Sequence, residues 1–300
     1  MLPPDRSRLS TEGRNPRSMG LHRASVADCV RLIQDENAGV LSALAAAQPA
    51  LIALIEAIEP RFLAGGRLIY LGAGTSGRLG VLDASEAPPT FQIDPGRILA
   101  LIAGGDSALR RTSEGQEDDA QGAVPALGEL RLTKLDSVIG IAAGGTTPYV
   151  LGALAYAHAL STPPLTALIA CSPCPTPPGT DQVVVLDTGA EVLTGSTRMK
   201  AGTATKLALN TISTTLMVRA GKVYENLMVD LRASNAKLRD RAARIVATLT
   251  GVDRAAAFAL LDQAGGMAKT AVVMSRLGLS STEADQALAR VQGRLDRLLP

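Results

Sequence analysis

Two hydrophobic rhythms divide the chain. From residue 25 to about 65, apolar side chains recur three and four apart. Val26, Cys29, Val30 and Ile33 open the series, Ser25 stands in the N-cap position, and Asp28 follows three residues later. Two packed helices meeting near Pro49 fit this stretch, since a proline inside a helix removes a backbone donor. Beyond residue 66 the rhythm changes to short aliphatic runs, at 67–71, 97–103, 137–143, 165–171 and 182–186. Each ends in Gly or small polar residues and leads into a helical stretch. Runs that are apolar at nearly every position predict strands buried on both faces, and their alternation with helices predicts a parallel sheet. Right-handed crossovers would make this a three-layer α/β/α domain. After about residue 190 the pattern reads helical to the end, over 197–220, over 234–249, and in three short helices from Asp253 separated by Gly265-Gly266 and by residues 278–281. The expected organisation is an N-terminal helical segment packing on the sheet domain over 1–65, the α/β domain over 66–232, and a small helical module over 233–300.

Composition narrows the function classes. Of 300 residues, 46% are apolar and 19% charged, which is globular rather than disordered, and a net charge of +2 gives no footprint for nucleic acid or an anionic membrane. With four Tyr, three Phe and no Trp there is no base-stacking surface. Cys29, Cys171 and Cys174 are an odd number and do not read as a disulfide framework. Residues 1–20 lack an apolar export core, and the most hydrophobic window, 39–58, is broken by Ser42, Gln48, Pro49 and Glu56. A cytoplasmic protein with no membrane span is the expectation.

In open α/β sheets ligands bind beyond the carboxyl ends of the strands, so chemistry is sought in the loops at 72–78, 104–119, 144–149 and 171–180. The first strand runs into Gly72-Ala73-Gly74-Thr75-Ser76-Gly77-Arg78. The spacing is that of a dinucleotide turn, but two adjacent hydroxyls suit a terminal monophosphate better. Pro88-Pro89 are expected to stop the helix early. No acidic residue closes the second strand at the required distance, since Asp106 comes too late. A second small-residue turn, Gly144-Gly145-Thr146-Thr147, follows the third strand, and the two turns together could hold one phosphate. Two carboxylates, Glu86 just past the first turn and Glu117 downstream of the second strand, are expected on the same rim. Cys171-Ser172-Pro173-Cys174 lacks further ligands for a metal, His158 reads as a packing residue, and no nucleophile elbow is present.

Gly72-Ala-Gly-Thr-Ser-Gly-Arg-Leu-Gly-Val-Leu-Asp-Ala-Ser-Glu-Ala-Pro-Pro-Thr90 closely resembles the signature of the N-acetylmuramic acid 6-phosphate etherases. The similarity extends through Thr11-Glu-Gly-Arg-Asn-Pro16, Leu101-Ile-Ala-Gly-Gly105, residues 114–119, Thr194-Gly-Ser-Thr-Arg-Met-Lys-Ala-Gly-Thr203 and Gly221-Lys-Val-Tyr-Glu-Asn-Leu-Met-Val-Asp230. The resemblance implies a sugar isomerase (SIS) domain with a small C-terminal helical module, acting as a homodimer without metal or other cofactor. It also implies cleavage of the D-lactyl ether at C3 of N-acetylmuramate 6-phosphate, giving N-acetylglucosamine 6-phosphate and D-lactate, for recycling of cell-wall sugar. By position it makes Glu86 the acid and Glu117 the base. It suggests Gly74, Thr75, Ser76, Gly77, Arg78, Ser85, Gly144 and Thr147 as substrate contacts, with Arg198 and Lys200 as anchors for phosphate or carboxylate. Free Glu titrates near about 4.3, so whichever carboxyl serves as acid needs burial or a like charge beside it. One departure stands out. The family usually carries Ser-Gly-Arg-Thr in the second turn, so residues 144–147 lack a hydroxyl and a guanidinium. An aldose–ketose isomerase of phosphosugars, or a non-catalytic phosphosugar-binding regulator, are the competing readings. The second is weakened by the lack of a helix-turn-helix in residues 1–24.

Overall fold

The fold is that of a computed structural model describing residues 5–111, 114–233 and 235–299. The five aliphatic runs form one parallel sheet of β1 (Leu68–Gly72), β2 (Ile98–Ile102), β3 (Ser137–Ile141), β4 (Leu165–Ala170) and β5 (Gln182–Val185), in the order β2-β1-β3-β4-β5. β1, β3 and β4 are buried at every position, which is why their sequences do not alternate. The order turns back at β1, so β1 and β3 end side by side, with Gly72 opposite Ile141. That is the switch point at which such sheets open a ligand crevice.

Helices cover both faces. Ile69, Leu71, Val138 and Leu168 pack with residues of α3 (Val124–Glu129) and α4 (Pro148–His158). Tyr70, on the opposite face of β1, donates its hydroxyl to Asp83 of α2 (Gly74–Phe91) at 3.1 Å. Asp83 also accepts from Asn210 and Ser213 of α5 (Lys200–Arg219), at 2.8 and 3.0 Å. Burial, with the Asp83 carboxylate beside it, pushes the Tyr70 phenol well above its ordinary range.

Two helices continue through prolines that the sequence reads as boundaries. α1 is one helix, Val26–Leu63, not two meeting at Pro49. It is long and apolar enough to cross a membrane by length and composition, yet Val40, Ala43, Ala47, Leu51, Leu54, Ile58 and Phe62 form one buried stripe on both sides of Pro49, and α1 packs against β3, β4 and β5. Pro49 and Ala45 lie on the solvent side, so the carbonyl that Pro49 leaves unpaired faces water. The earlier apolar series behaves differently: Val26, Val30 and Ile33 are exposed, Val26 at 82%. α2 likewise runs past Pro88-Pro89 to Phe91, its last turn held by buried Ala87 and Phe91.

The chain falls into two compact units, the first holding residues through Ser85 with Gly96–Ser213, the second Glu86–Pro95 with Thr214 onward. The division therefore differs from a sequence boundary at 232/233. In the second unit the sequence reads only helix, but β6 (Val223–Tyr224) and β7 (Leu227–Met228) form an antiparallel hairpin. Its turn sits at Glu225-Asn226, with Glu225 at φ +53°. Val229 and Leu231 carry the chain from the hairpin into the core of α6 (Ala236–Thr250), α7 (Arg254–Gln263), α8 (Ala268–Leu277) and α9 (Ser281–Arg290), and this is why the unit begins earlier than helical periodicity suggests. Ser234, expected to start the helix at 234, and residues 112 and 113 of the 104–119 loop lie outside the described residues. Side chains of Asn235, Asp253 and Ser280 cap three of these helices. Buried Lys269 ties the unit together, bonding the carbonyls of Gly221 and Gly293 at 3.0 and 2.7 Å and pairing with Asp230 at 2.7 Å.

At the amino end of the sheet, Asp136 accepts from the Arg67 backbone N–H and its guanidinium at 2.8–2.9 Å, and from the Thr133 N–H at 2.8 Å. Burial alone would raise this carboxyl, but Arg67 and the two backbone donors outweigh it and hold it below the usual value of 3.8. Its stabilising contribution is therefore complete above pH 3.8 and is lost as pH falls through the lower folded value. Asp136→Asn is expected to destabilise the protein by about 3–5 kcal/mol at neutral pH by leaving Arg67 uncompensated. Thermal melts from pH 7 to 3 check this. The gap between wild type and variant should narrow only at the acid end.

Candidate active site

The first turn is built by close approach of backbone. A Cβ at Gly77 would stand 2.6 Å from the Gly72 carbonyl oxygen and from the Ile102 side chain, and one at Gly72 would stand 2.8 Å from the Gly77 nitrogen. Only glycine allows α2 to start this near the end of β1, with its N-terminal N–H groups open to an anion. Thr75 and Ser76 are half-buried there. The N-terminus of α5 reaches the same turn, since a Cβ at Gly202 would lie 3.3 Å from the Thr75 methyl group. The 72–78 and 194–203 motifs are thus brought together.

The second turn lies beyond β3. Gly145 has φ +69°, and its missing Cβ would lie 2.8 Å from Cys174 Sγ. Gly144 is outside the left-handed region but carries Leu9 against it, with Leu9 Cδ1 2.9 Å from where a Cβ would be. Glu117 joins this turn. It is half-buried, and its carbonyl accepts the Tyr149 N–H of α4 at 3.0 Å. Asp118 lines a cavity of about 380 Å³ with Thr146, Pro148, Asp5, Arg6, Arg8 and Leu9. A second cavity of about 670 Å³ lies at β2, lined among others by Gly105, Asp106, Ser107, Gln116 and Tyr149.

Glu86 is placed differently from the rim position read in the sequence. From Gly74 it lies three turns along α2, about 18 Å at 1.5 Å per residue, and is exposed in the single chain. Glu86 belongs to the second unit and Glu117 to the first. Ser85 is also exposed and donates to the Leu82 carbonyl at 2.9 Å. Arg78 is turned onto the 104–119 loop, donating to the carbonyls of Leu109 and Arg111 at 3.2 and 3.4 Å. Thr147 precedes α4 as its N-cap, and Arg198 is exposed.

Lys200 is not a free cation. Its buried ammonium lies 2.7 Å from Glu36 of α1, and its backbone N–H and that of Ala201 donate to fully buried Glu191. Burial would raise the Glu36 carboxyl, but Lys200, Asn15 and Arg17 hold it below its ordinary range. The segment before α1 joins this network: Asn15 donates to Glu36 at 2.8 Å, and Ser10 bonds Ser172 and Asp187 at 3.0 and 2.9 Å. Sequence reasoning passed over Arg6, Arg8, Ser10, Glu36 and Glu191. Ser10 and Glu36 each bond a partner more than 160 residues away, and Glu191 accepts from backbone N–H groups; no local spacing announces either. Among the described residues no three His, Cys, Asp or Glu side chains gather as a metal cage. Cys171 is buried, its thiol pushed up to about 11 by desolvation, and it contacts Thr205 at 3.4 Å.

These turns respond differently to a side chain. Gly145→Ala is expected to cost about 1–3 kcal/mol, since it combines a left-handed backbone with a clash on Cys174. Gly144→Ser should cost less because the Leu9 methyl can swing aside. Paired thermal melts measure the difference.

A family model described as the glucokinase regulatory protein N-terminal SIS domain matches residues 50–158. The chain is 50% identical to an N-acetylmuramic acid 6-phosphate etherase of Synechococcus sp. (strain CC9605) over 297 residues, covering 99% of this chain and 92% of that protein. It is 49% identical to one of Serratia proteamaculans (strain 568), covering 96% of each. Among solved structures, a phosphoheptose isomerase from Francisella tularensis aligns with TM-score 0.45 and 15% identity, over 65% of this chain and all of that one. Identity near one half along almost the whole length, with the two turns and both carboxylate segments inside the aligned span, makes this chain a member of the N-acetylmuramic acid 6-phosphate etherase family.

Proposed function

We propose that this protein is a carbon–oxygen lyase that cleaves the D-lactyl ether at C3 of N-acetylmuramate 6-phosphate, releasing D-lactate and N-acetylglucosamine 6-phosphate. One observation carries the reading: half-identity to etherases runs through 99% of the chain rather than through the sheet alone. Incubation with N-acetylmuramate 6-phosphate and an assay of D-lactate tests it directly.

The chemistry needs an open ring, whose C1 aldehyde acidifies the C2 proton. In this reading the phosphate rests on the N–H groups and hydroxyls of Gly74, Thr75, Ser76 and Gly77, with Gly144 and Thr147 of the second turn. Glu117 takes the C2 proton, and the carbanion expels the C3 oxygen, which Glu86 protonates as lactate leaves. Water then adds across C2=C3 and restores a hydroxyl at C3. Arg198 is exposed and can meet an anion. Lys200, neutralised by Glu36, acts instead by fixing the 194–203 loop, and Arg78 by fixing the loop that bears Glu117. Ser85 stands beside Glu86 and is assigned to the same end of the substrate.

A homodimer belongs to this reading for a geometric reason. About 18 Å of helix between Gly74 and Glu86 exceeds the reach of one hexose phosphate, so the pair is completed by Glu86 from a second copy. Covering an exposed Glu86 would also supply the desolvation that a general acid requires. The exposed apolar residues Val26, Val30, Leu41 and Ile52 on α1 offer a surface for that copy. With three unpaired thiols, the chain is read as cytoplasmic.

Glu86→Gln should abolish lactate release by about 10²–10⁴-fold while leaving some C2 exchange with deuterated water. Glu117→Gln should lose both. NMR of the C2 proton separates the steps, and the opposite pattern would reverse the roles. Light scattering should return roughly twice 30.9 kDa. A mass that stays near the single-chain value at micromolar concentration removes the shared site.

A further inference from the structure

We infer that Arg6 and Arg8, in the segment before α1, supply the positive charge for the substrate phosphate that the second turn lacks. The inference rests on the etherase reading and adds a specificity element to it. Lys200 is buried against Glu36, Arg78 is turned onto the carbonyls of Leu109 and Arg111, and Arg198, exposed in the 194–203 loop, is one cation for a substrate with two anionic groups, the phosphate and the lactyl carboxylate. Gly144-Gly145-Thr146-Thr147 contributes none. A phosphate bound only by hydroxyls and backbone N–H groups would keep most of its two negative charges uncompensated. Arg6 and Arg8 line the 380 Å³ cavity beside Thr146, a volume in the range of small-ligand pockets. Among the described residues neither guanidinium has an ion-pair partner.

Their approach to the turn is fixed rather than incidental. Leu9 seats on Gly144, and Ser10 is bonded to Ser172 and Asp187, so the residues just before them are held over the turn. The Leu9 N–H bonds the Arg6 carbonyl at 3.0 Å, closing a tight loop that brings Arg6 and Arg8 to one cavity. Asp5 and Asp118 line it as well, and Asp5 is turned onto the Ser7 N–H at 2.9 Å. The arginines therefore act through directed, charge-assisted N–H donors rather than through a field of one sign, and a guanidinium fork suits phosphate oxygens. A guanidinium at position 146, where the family pattern has one, would point from the other wall of the same cavity.

The test is calorimetric titration of N-acetylglucosamine 6-phosphate, inorganic phosphate and unphosphorylated N-acetylglucosamine. Each is titrated into wild type, Arg6→Gln/Arg8→Gln, and that double variant carrying Thr146→Arg. Loss of charge-assisted bonds should weaken the sugar phosphate and phosphate about ten- to hundredfold in the double variant. N-acetylglucosamine should be unaffected, melts unchanged, and the affinity recovered with Thr146→Arg. Equal phosphate affinity in wild type and double variant overturns the inference. So does unchanged product affinity with a raised KM for N-acetylmuramate 6-phosphate, which would assign the arginines to the lactyl carboxylate. Should wild type bind inorganic phosphate through these arginines but not N-acetylglucosamine 6-phosphate, the cation assignment stands and the etherase reading falls.

Discussion

A buried ion pair, Lys200 with Glu36, holds the carboxyl end of the sheet in one arrangement. Removing two charges from water is costly, and the pair persists because each partner has further bonds: Glu36 takes Asn15 and Arg17, and the Lys200 backbone is capped by Glu191. The start of α5 is thereby fixed to α1 and to the segment just before it, although Lys200 lies 164 residues from Glu36. The N-terminus of α5 is then delivered to the first turn, where Gly202 meets Thr75, and the early segment is delivered to the second, where Leu9 meets Gly144. The turns are local products of glycine, but their surroundings follow from this one pair.

The sheet was the most legible part of the fold. β1, β3 and β4, buried at every position, need uninterrupted aliphatic runs, and with the partly covered edge strands β2 and β5 each run found in the sequence became a strand within two residues at either end. Proline misled where it lay toward solvent. At Pro49 a lost hydrogen bond costs about 3 kcal/mol, and the stripe from Val40 to Phe62 packs on both sides of it, so tertiary contact overrode a local signal. The hairpin at 223–228 escaped because two-residue strands carry no period to detect.

The site was legible to the extent that it is backbone-built. Gly72, Gly74 and Gly77 announce a turn of close approach because side chains cannot occupy it, and the hydroxyls between them suggest what it holds. Distance along a helix is also fixed by sequence once the helix is known, and that arithmetic separates Glu86 from the turn it follows. By contrast Glu191 and Lys200 make sense only in three dimensions: one is a buried acceptor for a helix start, the other a charge already neutralised. A lysine in a motif reads as a ligand anchor until its partner, 164 residues earlier, is seen.

The attachment of Ser10 to Ser172 and Asp187 spans 162 and 177 residues. On the ribosome, where a chain grows at about 5–20 residues per second, Ser10 emerges well before Ser172 and Asp187 and must wait for its seats to exist. The loop-closure entropy of such contacts is recovered only after the sheet has formed. Ser10 can dock only after Ser172 and Asp187 have been made, so the strands before them can pack while this wall of the pocket is still open to solvent.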